Sequence, residues 1–125
     1  MSRKVLIVDD SKLARMAVMR LLSTLHSGWS TEEASNADQA LESFKRNPPD
    51  FVLLDFNMPG KDGLALAEEF RKLNSNVRVA VISANHQVEV VDRARAAGAT
   101  FLPKPLTDKM LSEFLNASHA SQVNN

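Results

Sequence analysis

Four segments of this 125-residue chain end an apolar run on a residue suited to handling a cation or a phosphate. Val5-Leu6-Ile7-Val8 runs into Asp9-Asp10, and Phe51 to Leu54 runs into Asp55. Val77 to Ile82 reaches Ser83, and Thr100 to Pro103 reaches Lys104. Carboxylates without accompanying His or Cys form a hard oxygen set, which suits Mg²⁺ better than zinc or copper. If the three acids meet, each close pair repels by several kcal/mol at an effective dielectric of about 20, so a cation belongs among them. Mg²⁺ keeps open positions for phosphate oxygens, and the Ser83 hydroxyl and Lys104 ammonium are natural phosphate partners. An aspartate can itself be the nucleophile in phosphoryl transfer. Taken singly, each residue has an ordinary role. A strand-end Asp forms a turn or caps a helix, Ser83 caps the next helix, and Lys104 is a solvated lysine. Only their coincidence at four segment ends argues for a site.

The elements that must position these residues follow from periodicity. Val5 to Val8 and Phe51 to Leu54 are short continuous apolar runs, the pattern of interior strands covered on both faces. Trp29 to Ala34 reads as a weaker strand, Val77 to Ser83 as a fourth and Thr100 to Pro103 as a fifth. Pro103 offers no ladder donor, which places that fifth strand at an edge. Between the strands lie helical patterns. From Ser11 to about Leu25 the inner face is Leu13, Ala17, Val18, Leu21, Leu22 and Leu25. A second helix, Ala37 to Arg46, is capped by Ser35-Asn36 and uses Ala40, Leu41 and Phe44, ending at Asn47-Pro48-Pro49. Leu64, Ala67, Phe70 and Leu73 mark a third. Val88, Val91, Ala94 and Ala97 mark a fourth, closed by Gly98. The last runs from Leu106 to about Leu115, and the polar tail beyond Ala117 is expected to fray. Five strands alternating with five helices indicate a doubly wound α/β domain with a mostly parallel sheet. In such sheets ligands bind beyond the carboxyl ends of the strands, where the polar residues fall.

Composition narrows the function. Apolar content of 44% and charged content of 24% are globular values that argue against disorder. Lys+Arg and Asp+Glu balance at 15 each, so no basic excess announces nucleic acid or an anionic membrane. The absence of cysteine excludes a disulfide framework and a thiolate site. The apolar run after Met1 is too short for a signal peptide or a spanning helix, and a cytoplasmic location is expected.

With these elements in place the chain resembles the response-regulator receiver family, especially its stand-alone chemotaxis-type members, over about residues 3–116. The resemblance is carried by Val8-Asp9-Asp10-Ser11, by Leu54-Asp55-Phe56-Asn57-Met58-Pro59-Gly60 with Asp62-Gly63, by Ser83-Ala84 and by Lys104-Pro105. It implies one flavodoxin-like receiver domain over residues 1–125, with strand order 2-1-3-4-5 and a polar tail at 117–125. It implies Asp55 as phosphoacceptor from a histidine kinase or phosphotransfer protein. Mg²⁺ would be held directly by Asp10, through water by Asp9, and by Asp55 and the Asn57 carbonyl. Ser83 and Lys104 would bind phosphoryl oxygens, and a cis Lys104-Pro105 bond would turn the lysine toward the acids. Asn57 and Asn85 would influence hydrolysis of the acyl phosphate. Ser83 would couple phosphorylation to an inward swing of Phe101, although Phe101 reads equally well as a core aromatic. The output would be a protein target met by the fourth helix, fifth strand and fifth helix. The domain would be a monomer or weak dimer with no nucleic-acid or membrane partner, a switch rather than an enzyme acting on other substrates.

Two other classes compete. A phosphatase of the haloacid-dehalogenase type also uses a strand-end aspartate and Mg²⁺, but needs a second acid where this chain has Asn57, and a cap domain. A flavodoxin-like cofactor carrier needs a Ser/Thr-rich phosphate loop where Asp9-Asp10 would repel the ligand. His26, His86 and His119 share no metal spacing. Lys12 and Arg15 lie beside the acids on the outer side of the first helix, where they contact a partner or stay solvated.

Overall fold

The computed structural model describes residues 3–58, 62–84 and 88–123, with side chains through residue 116. Five strands alternate with five helices in chain order: β1 (Lys4–Val8), α1 (Lys12–Leu25), β2 (Ser30–Ala34), α2 (Ala37–Arg46), β3 (Phe51–Asp55), α3 (Gly63–Leu73), β4 (Arg78–Ser83), α4 (Val88–Ala96), β5 (Thr100–Pro103) and α5 (Asp108–Val123). The strands form one parallel sheet in the order β2-β1-β3-β4-β5, which places the strand carrying Pro103 at an edge.

Strand alternation builds two apolar layers. Leu6, Val8, Val52, Leu54, Val79 and Val81 face one way and pack with Ala40 and Phe44 of α2, Phe70 of α3 and Ala94 of α4. Val5, Ile7, Phe51, Leu53, Ala80 and Ile82 face the other way, against Leu22 of α1 and Leu111, Phe114 and Leu115 of α5. Because both faces are covered, the inner strands need no polar alternation, and β3 is buried at all five positions. Each fully buried aliphatic side chain contributes about 1.5–3 kcal/mol relative to exposure.

Caps fix where the helices start. The Ser11 hydroxyl accepts from the Ala14 N–H, the Asn36 side chain from Gln39 N–H, and the Asp62 side chain from Leu64 N–H. Thr107 does the same for α5, its Oγ1 accepting from Met110 N–H at 3.2 Å. Gly98 closes α4 with φ of +78°, a conformation that penalises any side chain.

Three expectations about helices are corrected. Leu13 is 78% exposed and Ala17 is also exposed, because the first turns of α1 begin at the carboxyl end of β1 and project past the apolar layer, which they join only near Val18 and Leu22. In α4 the buried pair is Val90 and Ala94, while Val91 is half-buried and Val88 is exposed. Uniform three-residue steps drift by about 60° per step around a 3.6-residue helix, whereas a four-residue step stays nearer one face. Finally, α5 continues to Val123 rather than ending near Leu115 and starts at Asp108, with Leu106 packed beside it on the apolar layer. No proline or glycine interrupts the stretch beyond Leu115.

Candidate functional site

The carboxyl ends of β1, β3, β4 and β5 converge. Parallel pairing sets Val8 beside Leu54 and Asp55 beside Ile82, so the first residues past β1 and the last of β3 lie at one level. One carboxylate oxygen from each of Asp9, Asp10 and Asp55 lies within 4.8 Å of the others. Lys104, just beyond β5, reaches back to place Nζ 3.0 Å from Asp55 Oδ1. The Lys104-Pro105 bond is cis, as the resemblance implies.

Their environments differ. Asp55 is 5% exposed and Asp10 is exposed. Asp9 is recessed and held at both ends of its backbone: its N–H donates to Ala34 O at 3.1 Å and its carbonyl accepts from Arg15 Nη1 at 2.6 Å. Its Oδ1 accepts the Ser11 N–H at 2.9 Å. Burial pushes the Asp9 carboxyl above the ordinary aspartate range; the Ser11 N–H opposes this, Asp55 adds to it, Lys104 opposes it and Asp10 adds again. A group raised by burial and by two like charges is one that a bound cation would relieve.

Ser83 ends β4 fully buried, and its carbonyl accepts the Lys104 N–H at 3.0 Å, tying β4 to the lysine-bearing segment. Asn57 is exposed, two residues past Asp55. Gly63 lies so close beneath this loop that a Cβ would stand 3.0 Å from both Asp55 O and Phe56 Cα. Phe101 is half-buried and packs against the layer formed by Leu54 and Val81. Pro59, Gly60, Asn85 and His86 lie outside the described residues, as does the His119 side chain. His26 stacks on Trp29 with centroids 3.9 Å apart, away from the acids at the other end of the sheet.

Arg15 differs from expectation. Its side chain is only 13% exposed and pairs with Glu33 at 2.8 Å as well as with the Asp9 carbonyl, so it is an internal cross-link rather than a solvated cation. Sequence periodicity locates Arg15 on the rim of α1, but its reach to β2 depends on helix placement. An open groove of about 570 Å³ runs between α1 and the segment after β5, lined by Ala17, Val18, Leu21 and Leu106 together with Asp9 and Lys104.

This arrangement defines a class: an α/β domain gathering a hard-oxygen cluster that can hold a metal ion, and one lysine, around a recessed carboxylate where such sheets bind ligands. Residues 5–116 match the response regulator receiver domain, and the chain belongs to that family, the signalling switches of two-component systems. It is 32% identical over 118 residues to chemotaxis protein CheY of Bacillus subtilis, covering 93% of this chain and 97% of that one. It is 32% identical over 106 residues to sporulation initiation phosphotransferase F of the same bacterium, covering 84% of each. The solved structure of Vibrio cholerae chemotaxis protein CheY4 matches with a TM-score of 0.84 at 26% identity, over 94% of this chain and 99% of that one. A receiver domain protein from Methanospirillum hungatei matches over the full length of both chains with a TM-score of 0.87; at 20% identity this speaks to the fold. Among the described residues no helix is long and apolar enough to cross a membrane.

Proposed function

We propose that this receiver domain stores its signal as an acyl phosphate on Asp55, formed from a phosphohistidine on a kinase or phosphotransfer protein, with Mg²⁺ held by Asp9, Asp10, Asp55 and the Asn57 carbonyl. The observation that carries this reading is the meeting of three carboxylates with Lys104 at Asp55. When bound, Mg²⁺ neutralises the acids and the oxygens of the transferring group.

The chain's own residues do the rest. An Asp55 carboxylate oxygen attacks phosphorus as the bond from phosphorus to the donor imidazole nitrogen breaks, and the imidazole leaves with a proton. Lys104, now paired with Asp55, turns to the phosphoryl oxygens, and the Ser83 hydroxyl bonds another of them. Water later cleaves the acyl phosphate, at a rate that the residue types at positions 57 and 85, both asparagine, influence in the family the chain resembles. Movement of Ser83 makes room for Phe101 to swing inward, and α4, β5 and α5 carry the change to a downstream protein. Phosphorylation can bias this equilibrium only by binding the two states differently. A single domain in the cytoplasm, monomeric or weakly dimeric, accompanies this reading.

Acetyl phosphate with Mg²⁺ is expected to add one phosphoryl group to the intact protein and none to Asp55→Asn. A mass gain that persists in that variant, or one that forms equally well in excess chelator, overturns the assignment.

A further inference from the structure

We propose that Arg15 is a positioning residue for the acidic loop: its guanidinium fastens the carbonyl of Asp9 to Glu33 of the neighbouring strand and thereby sets the aim of the Asp9 and Asp10 carboxylates. The proposal rests on the reading of that cluster as a Mg²⁺ site.

The geometry has three parts. Arg15 Nη1 donates to Asp9 O at 2.6 Å and Nε donates to Glu33 Oε1 at 2.8 Å, so one planar fork spans α1, the end of β1 and β2. On the other side of the same residue, Asp9 N–H donates to Ala34 O, the position after Glu33. The backbone is therefore tied to β2 both before and after the Asp9 side chain, once directly and once through Arg15. The clamped carbonyl belongs to the Asp9–Asp10 peptide, whose planarity carries its orientation to the Asp10 Cα. Asp10 is exposed among the described residues. Its placement comes from the backbone.

A charge-balancing role is the alternative, and it fits less well. Arg15 is already paired with Glu33, and its bond to Asp9 is made to the carbonyl rather than to the carboxylate. The two roles also predict opposite signs. A cation beside a divalent-metal site opposes metal binding, so removing only a charge tightens Mg²⁺. Removing a clamp weakens it.

Calorimetric titration of Mg²⁺ into the intact protein decides between them. Arg15→Gln is expected to weaken Mg²⁺ by about 10-fold, the scale at which groups supporting metal ligands act. Arg15→Lys keeps the charge but not the fork, and is expected to weaken binding in the same direction. Glu33→Gln is expected to weaken binding in the parent and to add nothing further in Arg15→Gln. Unchanged or tighter Mg²⁺ binding by folded Arg15→Gln, or by Arg15→Lys should the first variant not fold, overturns the proposal. If the parent takes up no Mg²⁺, or Asp10→Asn binds it as well as the parent does, the metal-site reading itself falls and Arg15 has nothing to position. If Asp10→Asn abolishes binding while Arg15→Gln leaves it intact, only the role of Arg15 falls.

Discussion

Asp9 sits where burial and two like charges work against one N–H donor and one lysine, and burial dominates, so its carboxyl is raised above the ordinary value of 3.8. The folded protein therefore keeps this proton to higher pH than the unfolded chain does. By linkage, the contribution of Asp9 to stability is complete below the ordinary aspartate range. It declines as pH rises from about 3.8 through the raised folded value, and is flat above it. Without Mg²⁺, thermal stability is expected to carry this downward component with rising pH, and Asp9→Asn to remove it. Melting curves from pH 3.5 to 7 in chelator test this: a variant with the same pH slope as the parent assigns the effect elsewhere. Glu32 has the opposite sign. The Lys4 hydrogen bond holds its carboxyl below the ordinary range, so its contribution is present above that range and lost on acidification through its lowered value. Comparing the two Asp9 backgrounds separates these slopes.

At the scale of elements, the loop after β3 is held by a close approach. A Cβ on Gly63 would meet the Asp55 carbonyl and Phe56 Cα at 3.0 Å, and these are main-chain atoms that cannot rotate aside. Gly63→Ala is expected to destabilise the domain by about 1–3 kcal/mol, as overpacking does, and to shift the Asp55 and Asn57 amide resonances most. Unfolding midpoints and amide spectra check this, and an unperturbed Asp55 amide would mean that α3 yields instead of the loop. The sequence marks this spot only as Asp62-Gly63 in the loop before the third helix, because the packing partner lies in another element. The same distinction separates what periodicity reveals from what it does not. Continuous apolar runs identify β1 and β3, since a strand buried on both faces admits no alternation. Pro103 marks the edge through one missing donor. The phase of α1 and α4 is less legible: Leu13 is apolar yet stands beyond the sheet, and Val90 rather than Val91 turns inward. Helical spacing fixes relative positions on a cylinder but not which line of that cylinder meets the sheet.

For the whole molecule, topology converts four separate segment ends into one site, which is why Asp9, Asp10, Asp55 and Lys104 were legible together and weak apart. Arg15 was not, because its two bonds depend on where α1 lies against β2. The exposed apolar residues of α1 have a related consequence. Asp55 is 5% exposed, so under the proposed function a phosphohistidine would reach it only if the donor protein seated closely over it. Leu13 at 78% exposure and Met16 at 45% stand on the helix that borders the groove lined in part by Asp9 and Lys104, and offer the apolar contact such seating needs. Acetyl phosphate is small enough to enter without it. Leu13→Asp is therefore expected to slow phosphotransfer from the protein donor by about 10-fold, the scale of an interface residue contributing more than 1 kcal/mol, while leaving phosphorylation by acetyl phosphate unchanged. Rates with both donors, measured on the same preparation, separate docking from chemistry. Equal loss with both would place the effect at the Asp55 site, and equal retention would place the donor on a different face.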